Sequence, residues 1–172
     1  TNDGNKPLTR CRWCLDKKAD IEKREALYTG TLGLDFGNVI KIVGGKYEIP
    51  NAKESIDKLK HYFEDRIYIV SRVDSEEDEK KVLTFLGERG FLTDLIKSEN
   101  VYFCRKRNEK GPIAKTLGIT HFIDDRTECL SYMDSVPTKI ALNPVKEQLE
   151  QFPPNGMKVA KDWTEILNFL YV

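Results

Sequence analysis

The 172 residues suit one α/β domain, and an apolar share of 40% is enough for a sizeable buried core. Lys+Arg and Asp+Glu both total 28, so no overall field exists to grip nucleic acid or an acidic membrane, although a local basic patch is still allowed. No run approaches the roughly 18 consecutive apolar residues of a spanning helix. No charged-then-apolar leader opens the sequence, and four dispersed cysteines in a chain this long suggest reduced thiols, so the expected location is cytoplasmic.

In chain order, residues 1–28 read as a polar, irregular lead-in carrying Cys11-Arg12-Trp13-Cys14. Residues 29–172 read as a single domain. Its first buried strand is Thr31–Phe36, broken by Gly37 and Asn38. Val39–Val43, Gly44-Gly45 and Lys46–Ile49 suggest a β-hairpin on a diglycine turn. Asn51 with Glu54 three residues on is a capping-box signature for a helix over about Ala52–Glu64. Arg66–Ser71 is a second strand. Ser75 caps a helix whose first turn is acidic and which Gly90 ends. Val101–Cys104, Ile119–Ile123 and Thr138–Leu142 are three more strands, with a helix from near Pro112 to Gly118 between the first two. Asp162 caps a final helix with Glu165 at its third position. Strands alternating with helices at this spacing predict an α/β three-layer sandwich with a mostly parallel, Rossmann-like sheet.

In such sheets ligands bind at the carboxyl ends of the strands, near a topological switch point. That rule singles out Asp35, Ser71, Cys104 and Asp124. Carboxylates gathered at one edge repel each other unless something positive sits between them, and Mg²⁺ favours a few carboxylate oxygens with a phosphate. Ser71 offers a hydroxyl to a phosphate oxygen. Lys110 stands near the start of the helix leading to the Asp124 strand, where its charge would offset phosphate and carboxylates. An Asp nucleophile, a metal, a hydroxyl and a lysine together suit phosphoryl transfer through an aspartyl phosphate.

Asp35-Phe36-Gly37-Asn38-Val39, Ile67–Ser71, Lys110 (less well Lys115) and His121-Phe122-Ile123-Asp124-Asp125 follow one another in the order of four motifs. In this the chain resembles the haloacid-dehalogenase-like hydrolase superfamily, over about Leu32–Leu170. The resemblance implies Asp35 as nucleophile, with Ser71 and Lys110 on the phosphoryl group and Arg72 and Asn38 beside it. It implies Mg²⁺ held by Asp35, Asp124, Asp125 and the main-chain carbonyl of Gly37. Phosphatases of that superfamily usually carry a second Asp, as general acid and base, where this chain has Gly37. Some of its sugar-phosphate phosphatases share the Asp-x-Gly-Asn-Val version. The alternative is a non-catalytic relative that binds phosphate or metal.

Only 36 positions separate Asp35 from Ser71 and 39 separate Ser71 from Lys110, so the superfamily's cap is absent or reduced to the Val39–Ile49 hairpin. An open site suits a large phosphorylated substrate, such as a protein or a nucleic-acid end, or closure by another subunit. Lys110 also belongs to the charged run Arg105–Lys110, and such runs are usually solvated loops. Cys11 and Cys14 make half a zinc motif, with no second pair at suitable spacing. Gly44-Gly45-Lys46 lacks the hydroxyl residue and the earlier glycine of a P-loop. A receiver domain has its acidic pair early in the chain and its phosphorylated Asp later, the reverse of the order here.

Overall fold

A computed structural model describes residues 12–172, with side chains from residue 17 onward. Six strands form one sheet: β1 Leu32–Leu34, β2 Ile67–Arg72, β3 Val101–Cys104, β4 His121–Asp124, β5 Thr138–Leu142 and β6 Lys158–Ala160. Their order is β3-β2-β1-β4-β5-β6, and every pairing is parallel. The helices are α1 Arg12–Glu25, α2 Ala52–Phe63, α3 Glu76–Glu88, α4 Lys110–Thr116, α5 Thr127–Ser131, α6 Lys146–Gln151 and α7 Trp163–Phe169.

Alternation along the strands fills two cores. Leu34, Ile69, Ile123 and Ile140 point to the face covered by Ile56, Leu59 and Phe63 of α2 and by Trp163 and Ile166 of α7. Val70, Phe122 and Ala141 point to the other face, against Ala114 of α4, Leu130 of α5 and Met133. Period-two side chains buried on both faces require helices on both faces, and the expected three-layer sandwich follows. Two devices fix close approaches. A Cβ on Gly33 would lie 2.5 Å from the Phe122 ring, so the glycine lets β1 and that ring share space. The Trp163 indole N–H donates to the Val39 carbonyl at 2.8 Å, tying α7 to the segment after β1.

Three expectations need correction. Residues 12–25 are helical rather than irregular. Their helix-favouring Lys, Ala and Glu content, with Lys18 and Glu22 at 3.9 Å one turn apart, outweighs the lack of an apolar stripe. Cys11 lies outside the described residues, as does the Cys14 side chain, so the thiol pair has no structural account. Residues 39–49 do not form a regular hairpin. They make an isolated antiparallel bridge, Lys41 to Glu48, with backbone bonds Ile42 N–H to Tyr47 carbonyl at 3.0 Å and Ile49 N–H to Ile40 carbonyl at 2.7 Å. The Phe36 carbonyl collects the N–H groups of Val39, Ile40 and Lys41, and this tight winding removes the extended residues a ladder needs. Asn51 adopts a left-handed conformation (φ 65°) and makes no side-chain cap, so its carbonyl alone serves the helix start, accepting from Ser55 N–H at 3.0 Å. By contrast, Ser75 and Asp162 do cap α3 and α7, accepting from Asp78 N–H at 3.2 Å and Glu165 N–H at 2.9 Å.

His121 opens β4 and is buried, its Nδ1 2.6 Å from Thr120 Oγ1 and its ring edge-on to Phe63. Burial lowers its pKa from 6.5 to about 4. The unfolded chain therefore takes up a proton between these values that the folded chain refuses, and stability falls as pH drops from 6.5 towards 4. Between pH 7 and 4.5 this single residue should cost about 2 kcal/mol. Urea unfolding at both pH values should show His121→Gln losing less stability over that interval than the parent; equal losses would refute the assignment.

Candidate active site

The order β3-β2-β1-β4-β5-β6 reverses direction between β1 and β4, and the carboxyl ends of these two neighbours bound the crevice. Asp35 directly follows β1 and Asp124 ends β4, with the Asp35 N–H donating to the Ile123 carbonyl at 3.0 Å. Register thus brings together two carboxylates 89 positions apart in sequence. Lys110, the first residue of α4, reaches in between them. Its Nζ lies 2.9 Å from Asp35 Oδ1 and 2.8 Å from Asp124 Oδ2.

This lysine is only 2% exposed, unlike the solvated loop that a charged run such as Arg105–Lys110 usually makes. A mainly polar run with one buried member has no periodic signal, so the burial of Lys110, though not its candidacy, is revealed by tertiary contact alone. Gly111 makes the placement possible: a side chain there would overlap the Tyr132 carbonyl oxygen. Gly111→Ala should therefore push α4 outward and destabilise the protein by about 1–3 kcal/mol, measurable as a lower Tm, and it should weaken the site along with the fold.

Electrostatics follow from this burial. Desolvation works against the Lys110 charge, but Asp124 and Asp35 outweigh it and hold the pKa well above the usual lysine value. Burial pushes the Asp124 carboxyl up, and so does the Asp35 charge, while Lys110 and the Arg126 N–H (3.0 Å from Asp124 Oδ1) pull it down. Asp125 is also pushed up, first by burial and then by Asp35 and Asp124. Lys110 pairs with two of these three carboxylates, leaving an excess of negative charge that a proton or a cation would offset. Oxygens of Asp35, Asp124 and Asp125 all lie within 4.8 Å of one another, a hard-oxygen set of the size a divalent cation takes.

Around these groups opens a cavity of about 540 Å³, within the range of small-molecule sites. Gly37, Asn38, Ser71 and Arg72 line it, together with Asp35, Lys110 and Asp125, so every expected site residue except the fully buried Asp124 reaches its surface. Asn38 (φ 59°) donates through Nδ2 to Asp125 Oδ2 at 3.3 Å and accepts from Val43 N–H at 3.0 Å, fixing the turn after β1. Ser71 is buried near the end of β2, and Arg72 pairs with Asp74 at 2.8 Å. Lys115, the weaker lysine candidate, is exposed on α4 and does not line the cavity.

Sequence reasoning passed over Arg107 and Arg126, which also line it. Arg126 directly follows the acidic pair, a position that could have drawn attention; Arg107 lay hidden in the charged run. No cap domain is inserted among the described residues. Between β1 and α2 stands only the wound segment 39–51, which contributes Lys41, Ile42, Val43 and Gly44 to one wall.

Comparisons with protein families and with curated proteins find no match. Among solved structures, the chain is similar to a de novo designed Rossmann 3x3 fold protein at 11% identity and TM-score 0.44, covering 80% of this chain and 92% of that one. It is more similar to D,D-heptose 1,7-bisphosphate phosphatase from Burkholderia thailandensis. There the TM-score is 0.62 and the identity 16%, over 82% of this chain and 98% of that one. The parallel six-stranded sheet is thus an α/β Rossmann-like fold shared with that phosphatase, and its acidic cluster stands at the switch point.

Proposed function

We propose that the protein hydrolyses phosphomonoesters in a Mg²⁺-dependent reaction through an aspartyl phosphate on Asp35. The observation that carries this reading is the buried Lys110 ammonium, held between Asp35 and Asp124 and lining the cavity. A lysine so placed gives the Asp35 carboxylate a fixed direction, as a nucleophile requires. The Asp35 oxygen attacks phosphorus and the ester oxygen leaves; water then attacks phosphorus and releases phosphate, restoring the carboxylate. Ser71, Lys110, Arg72 and Asn38 would hold the phosphoryl oxygens. Asp35, Asp124, Asp125 and the Gly37 carbonyl would hold Mg²⁺. When bound, that ion would neutralise the clustered carboxylates and polarise the phosphoryl group. The reduced cap leaves the entrance open enough for a phosphorylated protein or nucleic-acid end. A panel of phosphomonoesters with and without Mg²⁺ tests the reading, and no turnover of any member would refute it.

A second reading, a phosphate- or metal-binding protein without turnover, draws on Gly37. No carboxylate stands two positions after Asp35 to protonate a leaving group, a role typically contributing 10²–10⁴-fold in rate. Gly37 is not among the residues with positive φ, and a Cβ there would press only on Val43 Cγ2 at 3.0 Å, on an exposed side chain. Gly37→Asp should consequently fold, and it should raise rates on alkyl phosphates at least ~10-fold more than on aryl phosphates, whose leaving groups scarcely need a proton. Equal gains on both classes would show that protonation does not limit the parent. Magnesium binding without turnover of either class would favour the second reading.

A further inference from the structure

Among the cations that line the cavity, most are already answered. Lys110 faces Asp35 and Asp124, Arg72 faces Asp74, and Lys41 donates to the Gly45 carbonyl at 2.6 Å. Two arginines are not. The Arg107 guanidinium, half-buried on the turn Arg107–Glu109 that leads into α4, makes no ion pair or hydrogen bond among the described residues. Arg126, immediately after Asp125, uses one nitrogen on Glu128 at 3.2 Å. Its Nε–H is shut off from solvent and has no acceptor. An unanswered buried donor is costly, the more so when charged, so a half-used guanidinium fork at a cavity wall marks a place for an oxyanion.

The two arginines belong to one side of the cavity. The turn bearing Arg107 packs on α5, which Arg126 precedes, and the Arg107 charge is felt at Tyr132, whose hydroxyl lies 3.3 Å from the same Glu128. The groups proposed for the scissile phosphate, Ser71 and Lys110, hang from β2 and the start of α4. The arginines add two further cationic groups to the same cavity of about 540 Å³.

We infer that Arg107 and Arg126 form a second anion subsite, and that the substrates are phosphomonoesters carrying another phosphate close to the scissile one. This rests on the phosphohydrolase reading above. The second phosphate could belong to a small bisphosphate or to the neighbouring diester of a nucleic-acid end. Both present phosphate oxygens to a planar guanidinium, which can bind two of them at once.

Steady-state hydrolysis with Mg²⁺ tests the inference on two matched pairs: glucose 1-phosphate against glucose 1,6-bisphosphate, and thymidine 3′-phosphate against a short oligodeoxynucleotide ending in 3′-phosphate. In at least one pair the doubly anionic member should have a KM lower by about 10–100-fold, and that pair names the source. Arg107→Gln and Arg126→Gln should each reduce this preference about 10-fold, Arg107→Lys should restore part of it, and Lys115→Gln on the exposed face of α4 should leave it unchanged. Calorimetric titration of the Asp35→Asn protein with the same four compounds reads the subsite without turnover. No preference in either pair, together with equal binding of all four, would overturn the subsite while leaving phosphatase activity intact. Tighter, arginine-dependent binding of the second member without hydrolysis of any would uphold the subsite and discard the catalytic reading.

Discussion

Replacing Asp35 by Asn should abolish phosphomonoester hydrolysis, lowering kcat by at least about 10⁴-fold while leaving the fold intact. An amide has nearly the shape of a carboxylate but cannot attack phosphorus, so the aspartyl phosphate never forms. The folded state should not suffer. Lys110 keeps its bond to Asp124 at 2.8 Å, and the crowding of three carboxylates falls by one. Melting of the variant should therefore lie at or above that of the parent. Both readouts are needed, because an inactive protein that also melts early would say nothing about chemistry. A variant that turns over substrate as the parent does would exclude Asp35 as nucleophile and with it the proposed reaction.

Lys110→Met should produce the largest loss of stability. Methionine roughly matches the lysine chain in length but leaves Asp35 and the fully buried Asp124 facing each other with no cation between them. Breaking a buried pair from one side costs about 3–5 kcal/mol, a large part of the 5–15 kcal/mol that holds a typical domain folded. At this chain length the melting temperature should fall by roughly 6–20 °C. Two rescues identify the cause. Adding Mg²⁺ should raise the melting temperature of the variant more than that of the parent, because the ion would supply the missing positive charge. A second substitution, Asp124→Asn, should recover part of the loss by removing one of the facing charges. If Lys110→Met melted like the parent and responded to Mg²⁺ no differently, the ammonium would not be balancing the carboxylates.

These expectations draw on two kinds of information in the chain. Local chemistry determined the elements whose signals are local: the acidic first turn and Ser75 cap of α3, the Asp162–Glu165 cap of α7, and the apolar strands β1 to β5. It also marked Asp35, Ser71 and Asp124 as strand-end residues, because strand ends are written in the neighbouring four or five side chains. Beyond that range the sequence was silent or misleading. The short strand β6, Lys158–Ala160, has a mostly exposed face and takes its conformation from pairing with β5. Asn51 carried a capping signature, yet its left-handed backbone leaves the side chain out of the cap. The segment 39–49 alternated like a hairpin, but three N–H groups converging on the Phe36 carbonyl wound it into turns. Most tellingly, Arg107 and Lys110 sit three positions apart in one charged run, and only packing separates them. Gly111 lets α4 press against Tyr132, which carries Lys110 into the interior between two strands, while Arg107 remains at the cavity wall. Burial of a charge is decided by which partners surround it, and here those partners, Asp35 and Asp124, come from two other strand ends that only the parallel register of β1 and β4 brings side by side.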